Sequence, residues 1–139
     1  MAAIQVKERN NLFVVQDDLA LISKAQEGIE ASYFENLLKH SGFRKDELAG
    51  LVGIDPKTVD NYRKSHKKFT RDAAEKLLKL HRLFAFGDEL FGATAEFVDW
   101  LAISSPALNN QRPMAVLHSV SGISEVEKQL LRLAHGYAA

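Results

Sequence analysis

Five histidines and equal numbers of basic and acidic side chains, 18 of each, carry the reactive chemistry of this 139-residue chain, which has no cysteine. His40, His66, His81, His118 and His135 are scattered. No two stand four residues apart, the spacing that puts two imidazoles on one helix face for zinc, and no thiolate can complete such a site. Without cysteine there is no disulfide scaffold and no thiol nucleophile. No glycine-rich phosphate loop and no G-x-S-x-G elbow occurs. Nothing converges on catalysis, so the chain reads as a non-enzyme with no cofactor and no metal. His81 falls on an apolar helix face, where a hydrogen-bonded core histidine is the ordinary case. Phe84, Phe97 and Trp100 read as core aromatics rather than a ligand pocket.

The remaining chemistry is ionic, and it is unevenly distributed. Residues 1–38 hold 3 basic and 6 acidic side chains, residues 39–82 hold 12 and 6, and residues 83–139 hold 3 and 6. A cationic middle between two anionic flanks suits a chain with two partners, one of them a polyanion. Within that middle, a predicted helix over Pro56–Ser65 exposes Lys57, Thr58, Asp60, Asn61 and Lys64. Asn and Lys hydrogen-bond base edges in the major groove. Lys64, Lys67, Lys68 and Arg71, with Arg44 and Lys45 from the preceding helix, are placed to meet phosphates. Asp60 opposes this by setting a negative charge on the same face.

The elements that must hold these groups are almost all helical. Leu19, Ile22 and Ala25 recur at helical spacing before Gly28. Ser32 with Glu35 reads as a capping box for a helix that buries Phe34, Leu37 and Leu38 and stops at Gly42. A short helix over Arg44–Val52 turns inward Leu48, Ala49 and Val52, and Gly53 ends it. Asp55 caps the next helix and Pro56 opens it. Small Ala49, permissive Gly53, and Ile54 and Val59 as plugs make this pair a helix-turn-helix. Thr70 then caps a long helix over Arg71–Phe91, with Ala74, Leu77, Leu78, His81, Phe84 and Phe91 inward and a weak point at Gly87. A helix over Ala93–Ile103, a loop over Ser104–Gln111, a short helix from Pro113 and a last helix ending at Gly136 complete the pattern. Leu12–Val15 is a short strand or an arm. The longest apolar runs fall far short of the roughly 20 residues a membrane span needs. No basic-then-apolar leader is visible, so a cytoplasmic protein without membrane contact is expected.

Beyond Ser23 the chain resembles the Xre/MbcA/ParS antitoxins, in which an Xre-type helix-turn-helix precedes a toxin-binding domain. The features that carry the resemblance are Phe91-Gly92, Trp100-Leu101, Pro106-Ala107-Leu108, Pro113 with Leu117, Ser119 three before Gly122, Val126, and His135-Gly136. The family's usual Pro-Asn is Ser104-Ser105-Pro106 here, its Gly-Gly is Asn109-Asn110, and Arg112 replaces a small cap before Pro113. The resemblance implies an all-α fold in which a helix-turn-helix bundle is joined by a long helix to a small helical toxin-binding domain. Residues 1–16 form an arm, 17–70 the DNA-binding domain and 71–139 the toxin-binding domain. It implies a cognate RES-domain or ParT-like toxin that consumes NAD or uses it for ADP-ribosylation. The blocking element that enters the toxin's cleft is then His135, Gly136, Tyr137, Ala138 and Ala139. It further implies that the chain represses its own operon by binding operator DNA as a homodimer. A stand-alone regulator whose C-terminal part only dimerises is the alternative.

Overall fold

The computed structural model describes residues 6–136. Its elements are β1 (Lys7–Arg9), β2 (Leu12–Val14), α1 (Asp18–Glu27), α2 (Ala31–Ser41), α3 (Lys45–Val52), α4 (Pro56–Ser65), α5 (Arg71–Phe91), α6 (Thr94–Leu101) and α7 (Val120–Ala134). Single 3₁₀ turns lie at Pro106–Leu108 and Pro113–Val116. The architecture is all-α apart from one antiparallel hairpin, in which Lys7 pairs with Val14 and Arg9 with Leu12.

The long helix α5 is the axis of the molecule. Helices α1, α2, α3, α6 and α7 and strand β2 all pack on it. An amphipathic helix needs only one apolar stripe, but α5 buries Leu77, Leu78, Leu80, Leu83 and Phe84 completely, on more than one side. Each such side chain contributes roughly 1.5–3 kcal/mol on burial. Gly87 does not break the helix. It makes room for the ring of Phe97, since a Cβ at Gly87 would lie 2.5 Å from that ring. Phe97 is fully buried and stands edge-on to Phe84 at 5.1 Å, with Trp100 stacked beyond it at 6.1 Å. These aromatics are core, as their spacing indicated.

His81 is fully buried, and its hydrogen bonds fix its form. The Phe13 amide donates to Nδ1 at 3.0 Å, so Nε2 carries the proton and donates to the Tyr33 carbonyl at 2.7 Å. The neutral ring is thereby satisfied, and burial pulls its pKa down to about 4. Arg82, next along α5, is also buried. Its guanidinium makes a two-pronged contact with Glu127 of α7 at 2.7 and 3.1 Å and reaches Asp18 of α1 at 2.8 Å and the Gln16 carbonyl at 3.0 Å. Its hydrogen bond and charge hold the Asp18 carboxyl below the usual range.

Several local readings are corrected. Residues 7–14 form a hairpin whose Leu12 and Val14 join the core, and Asn10 and Asn11 both take positive φ in its two-residue turn. His40 holds that turn: one ring nitrogen lies 2.9 Å from the Asn10 carbonyl oxygen and the other contacts the Asp88 carboxylate. In α1 the buried residues are Leu21 and Ala25; of the apolar series Leu19, Ile22 and Ala25 only Ala25 faces the core, Leu19 being 75% and Ile22 40% exposed. Ser32 caps nothing. Ile29 and Phe69 exchange backbone hydrogen bonds at 2.9 Å, which holds the chain extended up to Glu30 and starts α2 at Ala31. Thr70 sits at the cap position of α5 but makes no side-chain bond, because Arg71, at φ +54°, turns the chain into the helix outside capping geometry. Ser119 is the cap of α7, accepting from the Gly122 amide at 3.0 Å. A Cβ on Gly122 would fall 1.8 Å from the Val116 carbonyl oxygen, so glycine is required there.

Candidate functional site

The helix-turn-helix forms as its spacing requires. Asp55 accepts from the Lys57 amide at 2.8 Å and Pro56 begins α4. Gly53, at φ +83°, closes α3 by donating to the Ala49 carbonyl at 2.8 Å, and Ala49 and Val59 are fully buried at the corner. Arg44 cannot accept a hydrogen bond through its side chain. The start of α3 is held instead by Glu47, which accepts from the Arg44 amide at 3.0 Å, while the guanidinium turns to Asp46 at 3.2 Å.

On α4, Lys57, Asn61 and Lys64 stand at i, i+4 and i+7 and share one face. All three are exposed, and Thr58 beside them is half-buried. Asp60 is less adverse than the sequence suggested. Lys45 Nζ approaches its carboxylate at 2.5 Å and Arg63 at 3.9 Å, which lowers the Asp60 pKa and cancels its charge locally. Arg63 also reaches Glu35 at 3.3 Å, tying α4 to α2. Not every predicted phosphate-facing cation is therefore free. Lys45 is engaged by Asp60, Lys68 lies 3.8 Å from Glu30, and Lys67 sits 5.0 Å over the Tyr62 ring. Lys57, Lys64 and Arg71 enter no ion pair among the described residues.

Residues 20–82 match the family model of the antitoxin Xre-like helix-turn-helix domain, and residues 86–136 match that of the antitoxin Xre/MbcA/ParS C-terminal toxin-binding domain. The chain belongs to the Xre-type antitoxin family. This Xre-type antitoxin is similar to an Antitoxin Xre of Pseudomonas putida, 21% identical over 120 residues that cover 86% of this chain and 74% of the relative. It is also similar to an Antitoxin Xre of Yersinia enterocolitica, 21% identical over 117 residues, 84% of this chain and 79% of the relative.

The toxin-binding span of this antitoxin holds α6, both 3₁₀ turns and α7. Helix α7 ends at Ala134. The amide of His135 donates to the Leu131 carbonyl at 3.0 Å, and Gly136 follows at φ +80°. His135 and Gly136 are exposed; Tyr137, Ala138 and Ala139 lie outside the described residues. No group of three or more His, Cys, Asp or Glu among the described residues is placed to hold a metal ion, and no described helix is long and apolar enough to cross a membrane. Sequence reasoning missed the Lys45–Asp60 pair. Its signal was present, since the two stand on the two helices of one motif and carry opposite charges.

Proposed function

We propose that this antitoxin neutralises a RES-domain or ParT-like toxin that consumes NAD, and that it represses its own operon as a homodimer in the cytoplasm. Residues 17–70 read operator DNA and residues 71–139 bind the toxin, with α5 as the common spine. His135, Gly136, Tyr137, Ala138 and Ala139 enter the toxin's cleft. A short tail beyond a glycine stop occupies a cleft without disturbing the helix behind it. Tyr137 contributes a ring with a polar end.

On the DNA side, Lys57, Thr58 and Asn61 meet base edges, and Arg44, Lys64, Lys67 and Lys68 meet phosphates. Lys45 acts first on Asp60 and so contributes through neutralisation of that carboxylate as well as through phosphate contact. Two half-sites about one helical turn apart require two copies of α4, hence a dimer. The observation that carries this reading is the joining, in one chain, of a helix-turn-helix whose exposed stripe is basic and amide-bearing to a span of the toxin-binding type.

The test is a growth assay with the reading frame adjacent to this gene. Co-expression of the full chain should rescue cells from that frame's product, and a chain ending at Gly136 should fold but fail to rescue. Equal rescue by the truncated chain would show that the tail is not the blocking element.

A further inference from the structure

We propose that the groove between the N-terminal hairpin and α7 receives an apolar side chain presented by a protruding, cationic segment of the cognate toxin. This inference rests on the antitoxin reading above and adds a second point of contact, distinct from the tail residues. The groove encloses about 710 Å³, enough for one or two large side chains. Val14 of β2, Phe86 of α5 and Leu131 of α7 line it, and Lys7, Asp17 and Glu89 stand among its polar wall residues. Leu131 is 47% exposed, one of the few large apolar side chains left open to water among the described residues.

Three observations assign the occupant. First, Phe86, Glu89 and Leu131 lie inside the span that matches the toxin-binding domain, so the groove continues a surface of that type. Second, Leu131 precedes His135 by one helical turn, roughly 6 Å along the axis. A partner that engages the end of α7 is therefore already beside the groove. Third, the groove's own wall carries Asp17, Asp18, Glu89 and Glu127 against Lys7, Arg9 and Arg82, an excess of acid. Charge complementarity then calls for a cationic setting around the inserted side chain. The Arg9–Glu89 pair that contributes to the groove wall, at 3.3 Å with both side chains more than half exposed, is weakly held and can exchange for pairs with the incoming segment.

The hairpin wall has a consequence for partner choice. Lys7–Val14 lies outside both matched spans, so this wall is not part of the shared domains. A partner segment must fit a wall outside the matched domains as well as the α7 face, which is a route to discrimination between toxins.

The test is titration calorimetry of the full-length chain against the purified product of the adjacent reading frame. Leu131→Glu, Glu89→Lys and Arg9→Glu change exposed positions, and thermal melts establish that each variant folds. Leu131→Glu and Glu89→Lys should weaken binding by about ten-fold or more, whereas Arg9→Glu, which frees Glu89 and adds a second carboxylate toward the cationic segment, should tighten it by a smaller factor. If Leu131→Glu does not fold, Glu89→Lys and Arg9→Glu decide the matter. Folded variants that bind as tightly as the wild type overturn the groove while leaving the antitoxin reading in place. A wild-type chain that does not bind removes that reading and the groove with it.

Discussion

Gly87 and Gly50 are both helical glycines, and their surroundings set opposite signs for the same substitution. At Gly50, on α3, a Cβ would meet nothing within 4 Å, so Gly50→Ala should stabilise by about 0.5–1 kcal/mol through helix propensity. At Gly87 the added methyl would strike the buried Phe97 ring, and Gly87→Ala should destabilise by about 1–3 kcal/mol despite the same propensity gain. Urea unfolding of the two variants checks both, and a stabilised Gly87→Ala would show that Phe97 moves freely. His81 gives a pH dependence. Its folded pKa, about 4, is below the ordinary value, so the neutral ring's contribution is intact above about pH 6.5 and is lost as pH falls toward 4. Between pH 6.5 and 5 this term should remove on the order of 2 kcal/mol of unfolding free energy. The depressed Asp18 carboxyl acts in the same direction at lower pH. A flat stability profile over that interval would contradict the buried neutral imidazole.

At the scale of elements, Arg82 is the joint between the two halves of the chain. It ties α1, at the start of the span that matches the helix-turn-helix domain, to α7, in the span that matches the toxin-binding domain, across α5. Arg82→Met should destabilise by about 2–3 kcal/mol, less than for a fully buried pair because the Asp18 side chain is 73% exposed. Thermal melting measures this, and an unchanged midpoint would show that apolar packing alone holds α1 and α7 on α5. Elements whose signals are local were legible in the sequence. Asp55-Pro56 began α4 where expected, Gly53 ended α3, and Arg71–Phe91 is one helix with the expected bounds. What the sequence did not disclose depends on distant partners. The Ile29–Phe69 pairing overrode the Ser32 capping signal, and the Phe97 ring gave Gly87 a packing role that periodicity cannot express. The strand alternative for Leu12–Val15 is realised as β2, but its partner was missed although Asn10-Asn11 between two short runs is a turn signal, because Lys7–Arg9 alone has no strand pattern. On the candidate interface the exposed stripe Lys57, Asn61, Lys64 was legible from spacing, while the engagement of Lys45 by Asp60 needed the corner between α3 and α4.

For the whole molecule, zero net charge conceals a cationic middle between two anionic flanks, the distribution that the proposed DNA-reading role requires. Replacing Asn61 or Lys57 by Ala should cost on the order of 1–3 kcal/mol in operator binding and relax sequence preference. Neutralising Lys64 should weaken all DNA alike and flatten the salt dependence by about one counterion. Fluorescence anisotropy across a salt series separates the two behaviours, and variants that bind like the wild type would remove α4 from the interface. The most direct test of the central claim is NAD turnover by the purified product of the adjacent reading frame, followed with and without an equimolar amount of this chain. The account predicts that turnover stops with the full chain and persists with a chain ending at Gly136. Turnover that continues unchanged beside the full-length chain would contradict it.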